Sequence, residues 1–556
     1  MGGSKNKKKT AGETAATEPV EHSKDSGAGT KRKRNKSQDQ KPRAGSFRNI
    51  QPPLSKGILK FLDSKKFHTM TPVQEATIPL FLQNKDVAVQ AVTGSGKTLS
   101  FLIPTVERIR KRATPLTKQQ IGALILSPTR ELALQTWTVC SELCKSMKMA
   151  PPLLLVGGGN SGKSSGVNHR PVTEDLKTFR REANDIIIGT PGRMEDVLTR
   201  YSVLDVSELE ILILDEADAL LFGRTIMDPT IAAILNRLPK MRRTGIFSAT
   251  TTFTSNKSIK PLLQRAGMRN PVLINVQVAA APTPGSESST SDKTGADSQA
   301  LTTKDKKSGS STAYTPTSLT NYYLVTKLEE KISRLVEFLK SHRHEKTIVF
   351  FLTCACVDFY GNTLQHLLDK TKSKKHAKGS KSNDDEEQDG LTIELLHGKL
   401  AQKRRERAME RFRESKTGGA LFATDVAARG LDVTDIDWVV QVDAPQDPSQ
   451  FVHRVGRSAR AGRQGSSLLF LTEKEESYID LLSNRQVPLQ ELSETETCCN
   501  DIEAESESDS STTITNILPQ IRGLVLKDRE YLEKGTKAFT SYIRGYKEHM
   551  CGFIFR

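Results

Sequence analysis

The chain has 556 residues, with 82 Lys and Arg against 65 Asp and Glu, giving a formal net charge of +17. That length argues against a single hydrophobic core, and the basic excess favours a polyanionic partner, either nucleic acid or an anionic membrane. Cys140, Cys144, Cys354, Cys356, Cys498, Cys499 and Cys551 form no pair of C-x-x-C units, which argues against a zinc ribbon and for a reducing compartment. No apolar run approaches the ~20 residues of a membrane span, and the N-terminus lacks the apolar stretch of a secretory signal.

Residues 1–45 hold 12 Lys/Arg and 5 Asp/Glu, so +7 of the +17 lies there. With few apolar residues, the segment 1–46 is expected to be a disordered basic tail. Lys31-Arg32-Lys33-Arg34 has the form of a nuclear localisation signal, although such runs also arise by chance in basic tails. Met1-Gly2 suggests myristoylation, but Asn6 stands where that motif needs Ser or Thr, so the modification is not expected.

From about residue 47, short apolar runs alternate with helical periods. Asp86–Ala91, Gly122–Leu126, Leu153–Val156, Asp185–Ile188, Ile211–Leu214 and Gly245–Phe247 read as strands. Leu99–Arg110 reads as a helix with Phe101, Leu102, Val106 and Ile109 on or near one face. After a polar stretch at 279–317 the rhythm resumes at Lys346–Phe351, Thr392–Leu396, Gly419–Ala423, Trp438–Val442 and Ser466–Phe470. Alternation of this kind predicts an α/β fold of two tandem domains with parallel sheets, 47–278 and 318–475, joined by a disordered linker, 279–317. Residues 370–390 read as an insertion in the second domain. Residues 476–556 read as an extension that contains an acidic break at 493–512. Ile514, Ile517, Ile521 and Leu524 give its last part helical spacing. No internal short-period repeat is present.

The pattern G-x-x-x-x-G-K-[ST] matches in full at Gly157–Ser164 and, with Ala in first place, at Ala91–Thr98. A phosphate loop needs a strand before it and a helix after it, so that backbone N–H groups and a helix N-terminus converge on the anion. Ala91–Thr98 has both. Gly157–Ser164 is followed by Gly166 and Pro171, which disfavour a helix, and reads as a loop that could touch RNA. The nucleotide site is therefore expected at Ala91, Val92, Thr93, Gly94, Ser95, Gly96, Lys97 and Thr98. Lys97 would hold the β- and γ-phosphates of ATP, and Thr98 would supply its hydroxyl to Mg²⁺. The run Ile211–Leu214 followed by Asp215-Glu216 supplies the acidic strand end that such an enzyme needs. Asp215 would face the metal, largely through water, and Glu216 the attacking water. Alone, this segment could equally be an acidic turn.

Asp215-Glu216-Ala217-Asp218 spells DEAD, and the motifs around it resemble those of the DEAD-box RNA helicases over about residues 47–475. That family implies RecA-like domains and ATP with Mg²⁺ as cofactors. Phe47 and the stretch Phe67–Gln74 are similar to its adenine-reading motif, with Phe47, Phe67 and Gln74 as ATP contacts; Lys66 stands where the family usually has Gly. Pro128, Thr129 and Arg130 in Ser127–Leu132, together with Gly157, Gly158, Thr190, Pro191, Gly192 and Arg193, resemble its RNA-backbone contacts. The Gly157-Gly158 match supports reading 157–164 as something other than the ATP loop. Ser248-Ala249-Thr250 resembles the motif that couples hydrolysis to strand separation. Leu221–Pro229 departs from the family pattern. In the second domain the matches are His397-Gly398-Lys399, Ala423–Asp432 and His453–Arg463. They imply Thr424 as an RNA contact, Gly430 and Asp432 as ATP contacts, and Asp218, Ser248, Thr250 and His453 as coupling residues.

Arg457 and Arg460 lie three apart, so a helical turn would present both on one face. Placed across a cleft they would complete the catalytic set of Lys97, Asp215 and Glu216 as arginine fingers, the alternative being a plain basic patch for RNA. RNA bridging both domains would then favour closure and hydrolysis, and by linkage ATP would tighten RNA binding. Grip through phosphates and 2′-hydroxyls would give little sequence specificity. Lys537–His549 and Cys551–Arg556 resemble the extension of the suppressor-of-poly(A)-binding-protein subgroup. That subgroup implies pre-ribosomal RNA, large-subunit assembly, pre-ribosomal particle proteins as partners and a nucleolar address within the nucleus, with no membrane role. Its members usually continue past Ile-Phe-Arg, so a tail beyond Arg556 is either absent or missing. A monomer is the family default. Other readings of the same motifs are an ATP-locked RNA clamp that barely unwinds, a DNA helicase, and a degenerate relative; the last is disfavoured by the intact catalytic positions.

Overall fold

Strand β1 (Val87–Ala91) is buried along its whole length, as a strand covered on both faces must be. It lies in a parallel sheet with β2 (Ala123–Leu126), β3 (Leu153–Leu155), β4 (Ile186–Gly189), β5 (Ile211–Leu214), β6 (Arg243–Ser248) and β7 (Val272–Val276). The order is β3-β4-β2-β5-β6-β1-β7. This computed structural model describes residues 45–157, 172–201, 203–221, 228–249, 263–276, 278–279, 312–313, 318–376, 391–415, 418–425, 433, 435–458, 463–485, 487–492 and 516–555. Residues 1–44 of the expected basic tail, the second loop at 158–164 and the acidic break at 493–512 lie outside those residues; Ser46, the last residue of that tail, is buried and bridged to Thr69.

The pleat explains why each strand reads as nearly continuous hydrophobe. In β5, Ile211 and Ile213 pack into one core with Phe81, Phe101 and Phe247. Leu212 and Leu214 pack on the other face with Phe179, Met194 and Ile234. Each face is then closed by helices, among them Pro72–Leu82, Lys97–Arg110 and Arg130–Ser146 over the first core.

A short antiparallel pair follows, β8 (Val278–Ala279) with β9 (Thr312–Ala313), and places strand residues inside the stretch expected to be linker. The second sheet comprises β10 (Leu319–Val325), β11 (Lys346–Phe350), β12 (Ile393–Leu396), β13 (Gly419–Ala423), β14 (Trp438–Gln441), β15 (Gly465–Leu471) and β16 (Gln490–Glu491). Its order is β12-β13-β11-β14-β15-β10-β16, all parallel. Counted from its own first strand, each sheet has the same order, 3-4-2-5-6-1-7, so the two halves share one topology. Helix Cys354–His376 runs six residues past Lys370, so the insertion begins inside a helix rather than in a loop.

The C-terminal extension packs on the second half. Ile517 and Ile521 join the core that holds Phe351 and Val357, and helix Arg529–Lys547 lies against helix Cys354–His376. Small residues permit the close approach. A Cβ on Gly535 would lie 3.1 Å from Phe359, and one on Gly545 would lie 3.2 Å from Leu352. Polar bonds fix the register: Thr353 Oγ1 and Ser541 Oγ are 2.8 Å apart, Tyr546 Oη donates to Glu475 Oε1 (2.8 Å), and Gln446 Nε2 donates to Gly545 O (2.7 Å). His549 stacks on Phe555 at 3.6 Å between centroids, with Tyr478 edge-on to both. Among the described residues, no helix is long and apolar enough to cross a membrane.

Candidate nucleotide site and nucleic-acid interface

Apart from the Phe67–Gln74 stretch, which precedes β1, the motifs of the first half follow the carboxyl ends of parallel strands: Val92–Thr98 after β1, Ser127–Arg130 after β2, Gly157 after β3, Thr190–Arg193 after β4, Asp215–Asp218 after β5, and Ser248 at the end of β6. Parallel order makes all these ends share one edge, the usual place for ligands in open α/β sheets.

The loop after β1 turns through two glycines with positive φ, Gly94 (78°) and Gly96 (92°), and Gly96 caps helix Lys97–Arg110. A Cβ on Gly96 would come within 2.6 Å of Gln74 Nε2, so a side chain is excluded there for space as well as for φ. Lys97 Nζ is folded back over the loop and donates to the carbonyls of Ala91 (2.5 Å) and Val92 (2.8 Å). Burial pushes its ammonium down to about 8, against the pull of Asp215, Glu216 and Asp218. Burial and the neighbouring Glu216 push Asp215 up to about 7, against Lys97. Glu216 sits at φ 45°, a strained backbone for a non-glycine residue, and its Oε2 is buried without a hydrogen bond. Two adjacent buried carboxylates, one with an oxygen that has no hydrogen bond, form an oxygen donor set that fits a hard divalent cation such as Mg²⁺.

Gln74 is buried, and both ends of its amide are engaged: Oε1 accepts from Thr71 N (2.9 Å) and Nε2 donates to Gly96 O (3.2 Å). It therefore ties the phosphate loop to helix Pro72–Leu82. Phe47 is buried in the core, whereas Phe67 is 45% exposed. Lys66 adopts φ 61°, so the turn usual for Gly forms here with Lys held in the left-handed region.

The second half closes this site. Asp218 accepts from Ser248 Oγ (2.6 Å) through Oδ1 and meets His453 Nε2 at 2.6 Å through Oδ2. Arg457 Nη2 lies 3.9 Å from Glu216 Oε1, and its Nε donates to His453 O (3.0 Å). Thr93 Oγ1 donates to Gly456 O (3.2 Å). The expected helical face is not what places Arg457. Helix Ser449–Val455 ends before it, and Gly456 caps that end, so Arg457 reaches Glu216 from a turn. Arg460, Thr250, Gly430, Asp432 and Gly158 lie outside the described residues.

The expected RNA contacts of the first half group on that edge of the first sheet, and Thr424 follows β13 of the second. Gly157 N donates to Thr190 Oγ1 (3.5 Å), and Arg130 Nη2 would lie 3.9 Å from a Cβ on Gly157. Thr129 Oγ1 caps its helix by accepting from Leu132 N (3.3 Å), beside the half-buried Pro128. Pro191 opens helix Pro191–Arg200, and Gly192 is exposed with open space around it. Arg193 is paired with Asp175 at 3.3 Å. Thr424 is buried, and its Oγ1 has no hydrogen bond.

Two features were missed from sequence. Arg405 reaches across to Glu131 at 2.6 Å, and nothing distinguishes Arg405 from its basic neighbours on helix Gln402–Glu414. Arg454, quoted only within its motif, is fully buried. It makes bonds of 2.5 and 2.9 Å to Asp425 and lies over the Phe350 ring, anchoring the helix that carries His453.

A phosphate loop and acidic strand end in one α/β half, completed by an arginine from a second half of the same topology, define a two-domain P-loop ATPase. Residues 71–259 match the DEAD/DEAH box helicase family, 330–462 the helicase conserved C-terminal domain, and 528–556 the ATP-dependent rRNA helicase SPB4-like C-terminal extension. The chain is 40% identical over 519 residues to the ATP-dependent RNA helicase DDX55 of Gallus gallus, covering 92% of this chain and 74% of that one. It is 40% identical over 514 residues to DEAD-box ATP-dependent RNA helicase 18 of Arabidopsis thaliana, with the same coverage. The DEAD-box helicase Mss116 bound to ssRNA and UDP-BeF shares the fold at a TM-score of 0.62 and 22% identity, over 88% of this chain and 86% of that one. S. cerevisiae Dbp5 bound to RNA and ADP BeF3 shares it at 0.57 and 24%, over 81% and 96%. The chain belongs to the DEAD-box ATP-dependent RNA helicases, of the type that carries the SPB4-like extension, and it hydrolyses ATP.

Proposed function

We propose that the chain couples RNA binding to ATP hydrolysis through closure of its two halves, and that it locally unwinds or remodels pre-ribosomal RNA during assembly of the large ribosomal subunit in the nucleolus. The observation that carries the coupling is the line Ser248–Asp218–His453, which joins the two halves beside Glu216 and Arg457. The ribosomal assignment rests on the 528–556 extension, whose family is described by an rRNA helicase.

In this reading the loop amides and Lys97 bind the phosphates, Lys97 leaving the Ala91 and Val92 carbonyls to do so. Thr98 and Asp215 would hold Mg²⁺, which when bound would offset the negative charge of the phosphates. Glu216 orients the attacking water. Arg457, together with Arg460, stabilises charge developing on the γ-phosphate, but only when the halves are closed. Phe47, Phe67, Gln74, Gly430 and Asp432 hold the rest of the nucleotide. Arg130, Thr190, Gly192, Arg193 and Thr424, with the neighbouring loop residues, grip the RNA backbone, and Thr250 transmits closure alongside Ser248.

The test is the ATPase rate with and without single-stranded RNA for wild type, Lys97→Ala and Lys163→Ala. RNA stimulation that is lost in Lys97→Ala and kept in Lys163→Ala is the expected result. A dead Lys163→Ala, or no effect of RNA, overturns the reading. Crosslinking in cells should recover large-subunit precursor rRNA; recovery of unrelated RNA instead would remove the ribosomal assignment.

A further inference from the structure

Cys354 is the first residue of helix Cys354–His376, just past the end of β11, and no step of ATP hydrolysis uses it. It is half-buried, whereas Cys140, Cys144, Cys356 and Cys551 are buried. Its side chain lines a cavity of about 750 Å³ between the halves, together with Asp218 of the first half, Gly398, Lys399 and Thr424 of the second, and Met550 of the extension. Thr424 is among the residues read above as gripping RNA, so the thiol stands where a strand would pass.

Its surroundings are built. His397 is 1% exposed, and its Nε2 meets Asp358 Oδ1 at 2.9 Å. The other ring nitrogen, Nδ1, is buried, forms no hydrogen bond of good geometry and faces the thiol. Burial alone would lower the basicity of this imidazole, but Asp358 and Cys354 outweigh it and push His397 up to about 9, so the ring is a cation at neutral pH. Conversely, His397 holds the Cys354 thiol below its ordinary range. The N–H groups of Lys399 and Gly398 act in the same direction, and burial opposes them. The N-terminal end of a long helix adds positive potential at the same sulfur. A buried cation beside an accessible sulfur is the setting that raises the thiolate share of a cysteine and with it its reactivity.

We propose that Cys354 is a redox-modification site, at which a hydroperoxide converts the sulfur beside His397 into a sulfenic acid that obstructs the RNA cleft. The sulfur lone pair attacks one peroxide oxygen and the O–O bond breaks. Sulfur loses two electrons and the peroxide gains them. With hydrogen peroxide the departing hydroxide takes the His397 proton and leaves as water, so thiol plus hydrogen peroxide gives sulfenic acid plus water. A thiol reductant reverses the change. The oxygen added to sulfur is a further acceptor in a space meant for phosphate oxygens, so it weakens RNA binding while leaving the ATP loop untouched.

The obstruction of RNA rests on the proposed function; the reactivity of the thiol does not, and the test separates them. The full chain is pulsed with hydrogen peroxide, trapped with a dimedone-type probe and mapped by peptide mass spectrometry, with RNA-stimulated ATPase measured in parallel. Cys354 should label at least about tenfold faster than Cys140, Cys144 and Cys356. RNA stimulation should fall in step with the label and return after dithiothreitol. His397→Asn should slow the labelling although it leaves the thiol no less accessible. Cys354→Ser, compared only with its own untreated sample, should keep its stimulated rate through the pulse. The proposal is overturned if Cys354 labels no faster than Cys140, Cys144 and Cys356, if His397→Asn labels as fast as wild type, or if Cys354→Ser loses the same fraction of RNA stimulation. If untreated wild type shows no RNA stimulation, the proposed function falls, while labelling still judges the thiol.

Discussion

Replacing His453 with alanine should separate closure from folding. His453 Nε2 and Asp218 Oδ2 are 2.6 Å apart and come from different halves, and both side chains are almost fully buried. Asp218 keeps its bond to Ser248 within the first half. With the halves apart, Asp218 and His453 face water and the substitution costs little. In the closed form it leaves one carboxylate oxygen buried without its partner. Losing a hydrogen bond to a charged group costs about 1.5–3 kcal/mol, so closure, and with it the RNA-stimulated rate, should fall by roughly 10- to 150-fold. The assay is RNA-stimulated ATPase at saturating ATP and RNA, with thermal melting of the same sample. Asp218→Ala and the double variant complete a cycle, in which the second substitution should cost much less than it does alone. A His453→Ala enzyme within twofold of wild type, or a cycle whose costs simply add, would refute the idea that this contact carries the coupling.

Other outcomes follow from the same geometry. Gly456→Ala should depress RNA-stimulated hydrolysis by more than any loss of melting temperature explains, because its Cβ would collide with the Thr93 hydroxyl when the halves meet, whereas within its own half it meets Val452 O, at 3.0 Å; a normal stimulated rate would show that closure does not need this approach. Lys66→Gly should stabilise the first half by about 0.5 kcal/mol, as relief of the left-handed strain exceeds the entropy that glycine adds to the unfolded chain, and a lowered melting temperature would contradict it. Burial pushes His549 down to about 4 from its ordinary 6.5. An undocked extension therefore takes up a proton first, and docking is fully stable above about pH 6.5 and weakens as pH falls towards 4. Hydrogen exchange of helix Arg529–Lys547 between pH 7.5 and 5 checks this, and His549→Gln should flatten the dependence.

The sheets were legible because their strands alternate between two cores and so read as unbroken apolar runs; β5 was found at Ile211–Leu214 to the residue. Strands that break this rule escaped. In β7, Leu273 is exposed and Ile274 alone is buried, and β10 carries the buried Asn321, which is satisfied by Ser467. The letter pattern alone favoured Gly157–Ser164; Ala91–Thr98 was preferred for its expected flanking elements, and strand β1 and helix Lys97–Arg110 do flank it. Contacts between the halves could not be read from spacing. Asp218 and His453 are 235 residues apart, and Arg405 looks like any arginine on a basic helix until Glu131 faces it. The resemblance supplied the participants, but the helical spacing expected to aim Arg457 was replaced by a turn.

Both halves run their strands in the order 3-4-2-5-6-1-7, yet the glycine-rich loop stands on the first and the arginine that meets Glu216 on the second. Two like folds thus meet through unlike surfaces, a head-to-tail contact of the kind that between separate subunits would propagate into rings or filaments. Held in one chain, the contact forms between that chain's own halves. Its formation is a first-order event, with the partner at an effective concentration set by the connection rather than by the cell. Activity per molecule should then be indifferent to dilution, and the number of complete sites should equal the number of chains.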